Sequence, residues 1–196
     1  ACGGLEELVV TAQKRSENLQ DVPISMVALG PLALERRGVV SLGDINNATV
    51  PGVNLAPYPG SSDFFFPTFR GITTNTAFIS APNPIAVHVD GVYWSQLVGL
   101  NNPAAELERI EILKGPQGVL AGRNATGGAI TIRTLEPQFE PTGKIGLEYG
   151  YYDGSDQGSG EITARGYFTA PIIADKLAFS IAGYYRDLDG YLTNDN

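Results

Sequence analysis

The stretch 109–134 most narrowly limits how this chain folds, because it sets two short alternating segments on either side of a glycine-punctuated link. Ile110 and Ile112 flank Glu111, and Ile130 and Ile132 alternate with Thr131 and Arg133. Each segment therefore reads as a strand with one buried face. The link has to be compact. Gly115 and Pro116 break the first strand, Gly118 and Gly122 are read as permitting tight backbone approach, and Gly127 and Gly128 as permitting positive φ before the second strand. The spacing matches neither a phosphate loop with its Gly-Lys-Ser/Thr ending nor the dinucleotide Gly-x-Gly-x-x-Gly pattern. Arg109 and Glu111 share a face and read as a surface pair of little energetic value.

Hydrophobic residues make up 43% of the 196, enough for one core of about 100–200 residues with material left over. A formal net charge of −8 removes the electrostatic footprint of a nucleic-acid binder. Cys2 is the single cysteine, so no internal disulfide is possible, and with one histidine, His88, it cannot supply a usual structural zinc set. No nucleophile–base pair, metal set or phosphate loop emerges, so neither enzyme chemistry nor a cofactor is expected. The chain opens at Ala1 without the charged segment and apolar run of a signal peptide. No apolar run reaches the 18 or so residues of a transmembrane helix, although barrel strands leave a weaker mark.

Along the chain, Glu6 to Ala12 is a short β-prone run, followed by the polar stretch 13–21. Val22 to Val27 reads as a strand with Pro23 near its start. Gly30-Pro31 opens a helix through Arg37 that stops at Gly38. Ser41-Leu42-Gly43-Asp44 reads as a capping box, with Leu42, Ile45 and Ala48 on the core side of a second short helix ended by Pro51-Gly52. Thr68 to Ile72 is a strand candidate. In Ile85 to Tyr93, Ile85, Val87 and Val89 share a face, His88 lies opposite, and Asp90-Gly91 signals a turn.

After Pro141 the texture becomes long period-two alternation. Ile145, Leu147, Tyr149 and Tyr151 oppose Lys144, Gly146, Glu148 and Gly150; Ile162, Ala164, Gly166 and Phe168 oppose Glu161, Thr163, Arg165 and Tyr167. Leu177, Phe179, Ile181, Gly183 and Tyr185 line one face of a third strand. A compact turn is read at 170–176 and a polar outer loop at 153–160. Apolar-out, polar-in strands with tyrosines near their ends suit a membrane barrel, and a soluble antiparallel sheet shares the same alternation.

Taken together, Thr68-Phe69-Arg70-Gly71-Ile72, the Val89-Asp90-Gly91 turn and 109–134 resemble the plug of TonB-dependent outer-membrane receptors. The resemblance implies an α+β plug domain, a small mixed sheet with short helices, followed by antiparallel β-strands of an incomplete outer-membrane β-barrel. It divides the chain into 1–20 (TonB box and linker), 21–136 (plug) and 137–196 (first barrel strands). Three strands cannot close a 22-stranded barrel, so the chain is expected to be the N-terminal part of a longer receptor.

The family further implies energy-coupled uptake of a scarce ligand, a ferric siderophore or other iron chelate being the default. Carbohydrate, cobalamin, haem and aromatic-compound uptake stay open. Its partners would be TonB with the inner-membrane energising complex, the ligand, and outer-membrane lipid. Glu7, Leu8, Val9, Val10, Thr11 and Ala12 would pair with a TonB strand. Tyr58, Asp63, Phe64, Phe65, Asn75, Phe78, Tyr93, Trp94 and Gln96 lie in apical loops that would touch the ligand; for the aromatics among them, packing is the competing reading, and Phe66 reads as packing outright. Arg70 and Lys114 fall at plug positions that pair with glutamates of the barrel wall in relatives. Lysine at 114 replaces the usual arginine and offers a point charge instead of a fork; Ala121 stands where tyrosine is common. A soluble periplasmic binding or adhesion module with a β-rich tail is the alternative of a different class.

Overall fold

The computed structural model describes residues 9–10, 17–18, 25–37, 39, 41–46, 48–55, 57–58, 61–73, 83–95, 98–99, 107–122, 124–152 and 159–188. The chain divides into two units, one of residues 1–102 with 107–134 and one of 103–106 with 135–196.

In the first unit, β1 (Val9–Val10) and β2 (Glu17–Asn18) form a small antiparallel pair. Then come β3 (Met26–Leu29), α1 (Pro31–Arg36) and a 3-10 turn at Leu42–Asp44. Next are β4 (Val53–Asn54), β5 (Pro57–Tyr58), β6 (Ser61–Phe65) and β7 (Thr68–Phe69). They are followed by β8 (Ile85–Val89), β9 (Val92–Trp94), β10 (Leu107–Lys114), α2 (Gly118–Ala121) and β11 (Gly128–Thr134). The main sheet is mixed, in the order β3-β10-β11-β8-β9, with β11 and β8 parallel and the other neighbours antiparallel.

Alternation decides what each face holds. On one side, Leu29, Ile85, Val87, Ile110, Ile112, Ile130 and Ile132 pack with Leu34 of α1 and with Leu42, Ile45, Val50, Val53, Leu55 and Phe69. Each such fully buried aliphatic contributes about 1.5–3 kcal/mol, which makes this cluster the main source of stability. On the other side, Ala86, Leu113, Ala125 and Ala129 pack with Met26, Tyr93 and Ala121 in a smaller cluster. The expectation of one buried face for β10 and β11 is thus corrected: both faces are covered, and even Glu111 is buried.

Local chemistry accounts for the connections. Pro31 starts α1 as expected. Asp44 Oδ2 accepts from Ser41 N (2.7 Å) and from Ser41 Oγ (3.0 Å), so the expected capping box forms, but it caps only one 3-10 turn. Ala48 is exposed and Val50 fills the core instead. The strand read at 22–27 lies at Met26–Leu29 among the described residues. Thr68 to Ile72 is a turn more than a strand: Arg70 and Gly71 have φ of 49° and 85°, and Phe69 and Ile72 exchange both backbone hydrogen bonds (2.9 and 2.8 Å). Asp90-Gly91, with φ of 48° and 83°, closes the β8–β9 hairpin in the same way. Positive φ at both central residues matches the right-handed twist of the strands they join.

Two glycine expectations change. Among the described residues nothing lies within 4 Å of a Cβ built at Gly118 or Gly122, so neither shows a close approach there; Gly122 is needed for its φ of 76°, and Gly118 starts the α2 helix. Close approach occurs at Gly127–Gly128. A Cβ at Gly128 would stand 2.5 Å from both Leu113 O and Phe69 Cδ2, and one at Gly127 would stand 2.8 Å from Ile72 Cγ2. Gly128, not Gly127, carries the positive φ.

In the second unit, β12 (Thr142–Tyr152), β13 (Ser159–Ile173) and β14 (Leu177–Leu188) form an antiparallel meander. The turn is tighter than read from sequence, covering 174–176, because β13 continues past Pro171 through a register shift. Rows such as Leu147–Ala164–Tyr185 and Glu148–Thr163–Arg186 confirm the two-faced pattern. Ile145 and Leu147 are 87% and 78% exposed, whereas Thr163, Tyr167 and Thr169 on the polar face are buried. That polar face carries diagonal ion pairs, Arg165 Nη2 to Glu148 Oε1 (2.5 Å) and Arg186 Nε to Glu161 Oε1 (2.7 Å). Gly146 leaves the space Arg165 occupies: a Cβ there would meet Nε at 2.7 Å.

Candidate functional site

Two groups of candidate residues are brought together in the first unit. The first surrounds the turn at Pro51-Gly52. Lys114 Nζ reaches Pro51 O (3.4 Å), and Arg70 N donates to Gly52 O (2.8 Å) while Arg70 Cγ lies against Gly52. Arg70 Nη2 also donates to Ser25 Oγ (3.2 Å), and Lys114 N donates to Ser25 O (2.9 Å). Arg70 and Lys114, 44 residues apart in sequence, thus converge on one turn and one serine. Sequence reasoning singled out both cations and missed Ser25, which carries no motif of its own.

The second group lies at the β8–β9 edge. Tyr93 and Trp94 are consecutive on β9 and so point to opposite faces. Tyr93 belongs to the small core cluster, its hydroxyl accepts from Asn124 Nδ2 (3.0 Å), and its ring meets His88 edge-on with centroids 5.5 Å apart. Trp94, opposite Val87, is 40% exposed. His88, on the face opposite Val87 and Val89 as expected, stacks on Tyr93.

Phe64 and Phe66 stack edge-to-face at 5.0 Å, and Phe64 bridges to Val98. Tyr58 lies in β5 and Asp63 and Phe65 in β6, where Pro57 opposes Phe65 and Tyr58 opposes Ser61. Val9 and Val10 form β1, with Val9 opposite Asn18 and Val10 opposite Glu17. Glu7, Leu8, Thr11, Ala12, Asn75, Phe78 and Gln96 fall outside the described residues. No group of His, Cys, Asp or Glu able to hold a metal occurs among the described residues.

The remaining polar features fix the sheet. Asp90 accepts from Thr134 N (2.9 Å) and Thr134 Oγ1 (2.8 Å) while Asp90 N donates to Ile132 O (3.0 Å), clasping the end of β11. Ala28, Glu111, Thr131, His88 and Tyr93 form one row across five strands. Arg109 Nε donates to Glu111 Oε1 at 2.8 Å, with side chains 16% and 1% exposed, and the guanidinium also meets Glu108. The expected surface pair is thus a buried one, a distinction alternation alone does not reveal.

This order along the chain, a clasped mixed sheet and then two-faced strands, has known counterparts. The family model described as TonB-dependent Receptor Plug Domain matches residues 18–129. The chain belongs to that family. The iron-regulated outer membrane virulence protein of Vibrio cholerae is 27% identical over 190 residues, covering 94% of this chain and 28% of that protein. The pesticin receptor of Yersinia pestis is 33% identical over 143 residues, covering 70% of this chain and 20% of the relative. The vitamin B12 transporter BtuB of Vibrio vulnificus is 24% identical over 194 residues, covering 97% and 29%. The chain thus spans less than a third of the length of these relatives.

Among solved structures, the alcaligin outer membrane receptor FauA of Bordetella pertussis superposes with a TM-score of 0.65 at 18% identity, covering 92% of this chain and 29% of that one. The ferric yersiniabactin uptake receptor FyuA of Yersinia pestis gives 0.55 at 20%, covering 76% and 29%. At these identities the superpositions establish the fold, a plug followed by antiparallel wall strands. The plug family is one of outer-membrane receptors, not of enzymes, and the outer membrane is where this chain resides.

Proposed function

We propose that this chain supplies the TonB-interacting segment (1–20), the plug (21–136) and the opening wall strands (137–196) of a receptor that takes up an iron chelate using energy delivered through TonB. The observation that carries the reading is the joining, in one chain, of a plug sheet to a strand meander whose apolar face is exposed along its length. An exposed row of this size on a soluble module would be an aggregation liability, whereas hydrocarbon covers it in a bilayer. The name of one relative, an iron-regulated outer membrane virulence protein, supports iron over other cargo.

In this reading, ligand bound on the outer side of the plug makes the N-terminal segment available below, where a TonB strand adds to it. Main-chain hydrogen bonds supply affinity there with little demand on side chains. Of the candidate aromatics whose burial is described, Phe64, Tyr93 and Trp94, only Trp94 is exposed and so free to touch ligand, and Asn124 holds Tyr93 next to it in sequence. Arg70 and Lys114 would face acidic groups of the wall. No covalent step is involved.

A cysteine at Val10 of the full-length receptor, in a Cys2→Ser background, should crosslink to TonB; absence of any crosslink refutes the assignment of that segment. Growth of a deletion strain on defined ferric siderophores, with cobalamin as the comparison, tests the cargo. Rescue by the receptor only on cobalamin would overturn the iron reading. Trp94→Ala should weaken ligand binding about tenfold, as loss of one aromatic contact does, and unchanged affinity would remove Trp94 from the site.

A further inference from the structure

Ser25 is the point at which the N-terminal segment joins the plug sheet. It directly precedes β3, and β3 is an edge strand whose neighbour in the sheet is β10. Two groups from distant parts of the chain hold this residue: Lys114 N on its carbonyl at 2.9 Å and Arg70 Nη2 on its hydroxyl at 3.2 Å. Arg70 is in turn held rigidly. It occupies the left-handed region at φ 49°, its amide donates to Gly52 O, and the turn it belongs to packs through Phe69 and Ile72 onto Gly127–Gly128.

The same turn is continuous with the outer strands. β6 ends at Phe65, and the chain passes through buried Pro67 and buried Phe69 to reach Arg70 five residues on. Proline fixes φ, and a fully buried phenylalanine has little room to absorb movement. This path leaves little slack between β6 and the Arg70 backbone. The bond at the far end suits release, because Arg70 and Ser25 are exposed and water competes for a single hydroxyl contact. At the other end of the plug sheet, Asp90 accepts two hydrogen bonds from Thr134 and holds β11 in place.

We propose that Arg70 is a positioning residue that couples the β5–β6 segment to Ser25 and thereby sets how readily β3 leaves the sheet. The inference rests on the proposed receptor function, in which the N-terminal segment meets TonB, and on the expectation from sequence that Tyr58, Asp63, Phe64 and Phe65, now in β5 and β6, touch the ligand. It adds a defined contact, with a closed state in which Arg70 holds the Ser25 hydroxyl and an open state in which it does not.

The test is amide hydrogen exchange on the purified full-length receptor without ligand or TonB. Ser25→Ala and Arg70→Gln should each speed exchange at Met26–Leu29 about fivefold, the equivalent of one lost exposed hydrogen bond, while Ile85–Val89 stays unchanged. Ser25→Thr, which keeps the hydroxyl, should exchange like the parent. Phe64→Ala, which removes the ring packed on Phe66, should speed exchange at β3 in the parent but add nothing in the Arg70→Gln background. Unchanged exchange in Ser25→Ala, an equal rise at Ile85–Val89, or full additivity of Phe64→Ala with Arg70→Gln would overturn the coupling. The Val10 crosslink is a separate readout: its absence sinks the TonB reading while leaving the exchange result standing.

Discussion

Replacing Arg109 by methionine should destabilise the plug far more than loss of a surface ion pair. Arg109 Nε lies 2.8 Å from Glu111 Oε1, and the Glu111 side chain is only 1% exposed, on an interior strand of a five-strand row. Methionine keeps much of the buried stem of arginine, so the change isolates the charge. The buried carboxylate loses the Arg109 cation, and breaking a buried pair in this way costs about 3–5 kcal/mol. An exposed pair would cost about 0.2–1 kcal/mol. The double variant Arg109→Met with Glu111→Leu removes both charges and should recover most of the loss, since apolar pairs of similar volume replace buried ion pairs at little net cost. Native-state hydrogen exchange at β10 and β11 amides of the purified full-length receptor reports the opening free energy. A loss below about 1 kcal/mol in Arg109→Met, or a double variant as unstable as the single one, would refute the claim that burial makes this pair matter.

Gly128→Ala should reduce plug stability by about 2–4 kcal/mol, because the new methyl would overlap Leu113 O and Phe69 at 2.5 Å; the same exchange measurement checks it. Gly118→Ala, in a helix with open space around it, should be neutral or raise stability by up to about 1 kcal/mol. Asp90→Ala should free the end of β11 and cost about 2 kcal/mol, read as faster exchange at the Thr134 amide, whose acceptor is Asp90 Oδ1; Asp90→Asn should retain most of the protection. Leu147→Arg on the apolar face of β12 should weaken insertion of the full-length receptor into lipid vesicles by about 2–4 kcal/mol if that row sits near the bilayer middle. Glu148→Gln on the polar face should insert normally, and equal effects from the two would contradict the assignment of faces.

The main elements were legible from residues alone, for physical reasons that differ by region. In β12 to β14 the period-two pattern runs unbroken as far as Pro171, and register follows because a one-residue slip would turn every apolar side chain to the polar face. Pro31, the Ser41–Asp44 box and the Asp90-Gly91 turn are local devices, so their sequence is their structure. The parallel pairing of β8 with β11 is different, since the partners lie about forty residues apart and nothing in either strand names the other. The resemblance to plug domains implied a mixed sheet without naming this pair.

Sequence by itself determined which segments alternate, where the chain turns, and which family it joins, because those features depend on neighbours a few residues away. Only the tertiary structure decided that Glu111 is buried, that Tyr93 joins a core cluster while Trp94 stays exposed, that Gly127–Gly128 yields space to Phe69 and Ile72, and that Arg70 and Lys114 meet at Ser25. Each of these depends on what the fold lays over a residue from far along the chain, and the burial that gives a charge or a glycine its energetic weight comes from those distant atoms.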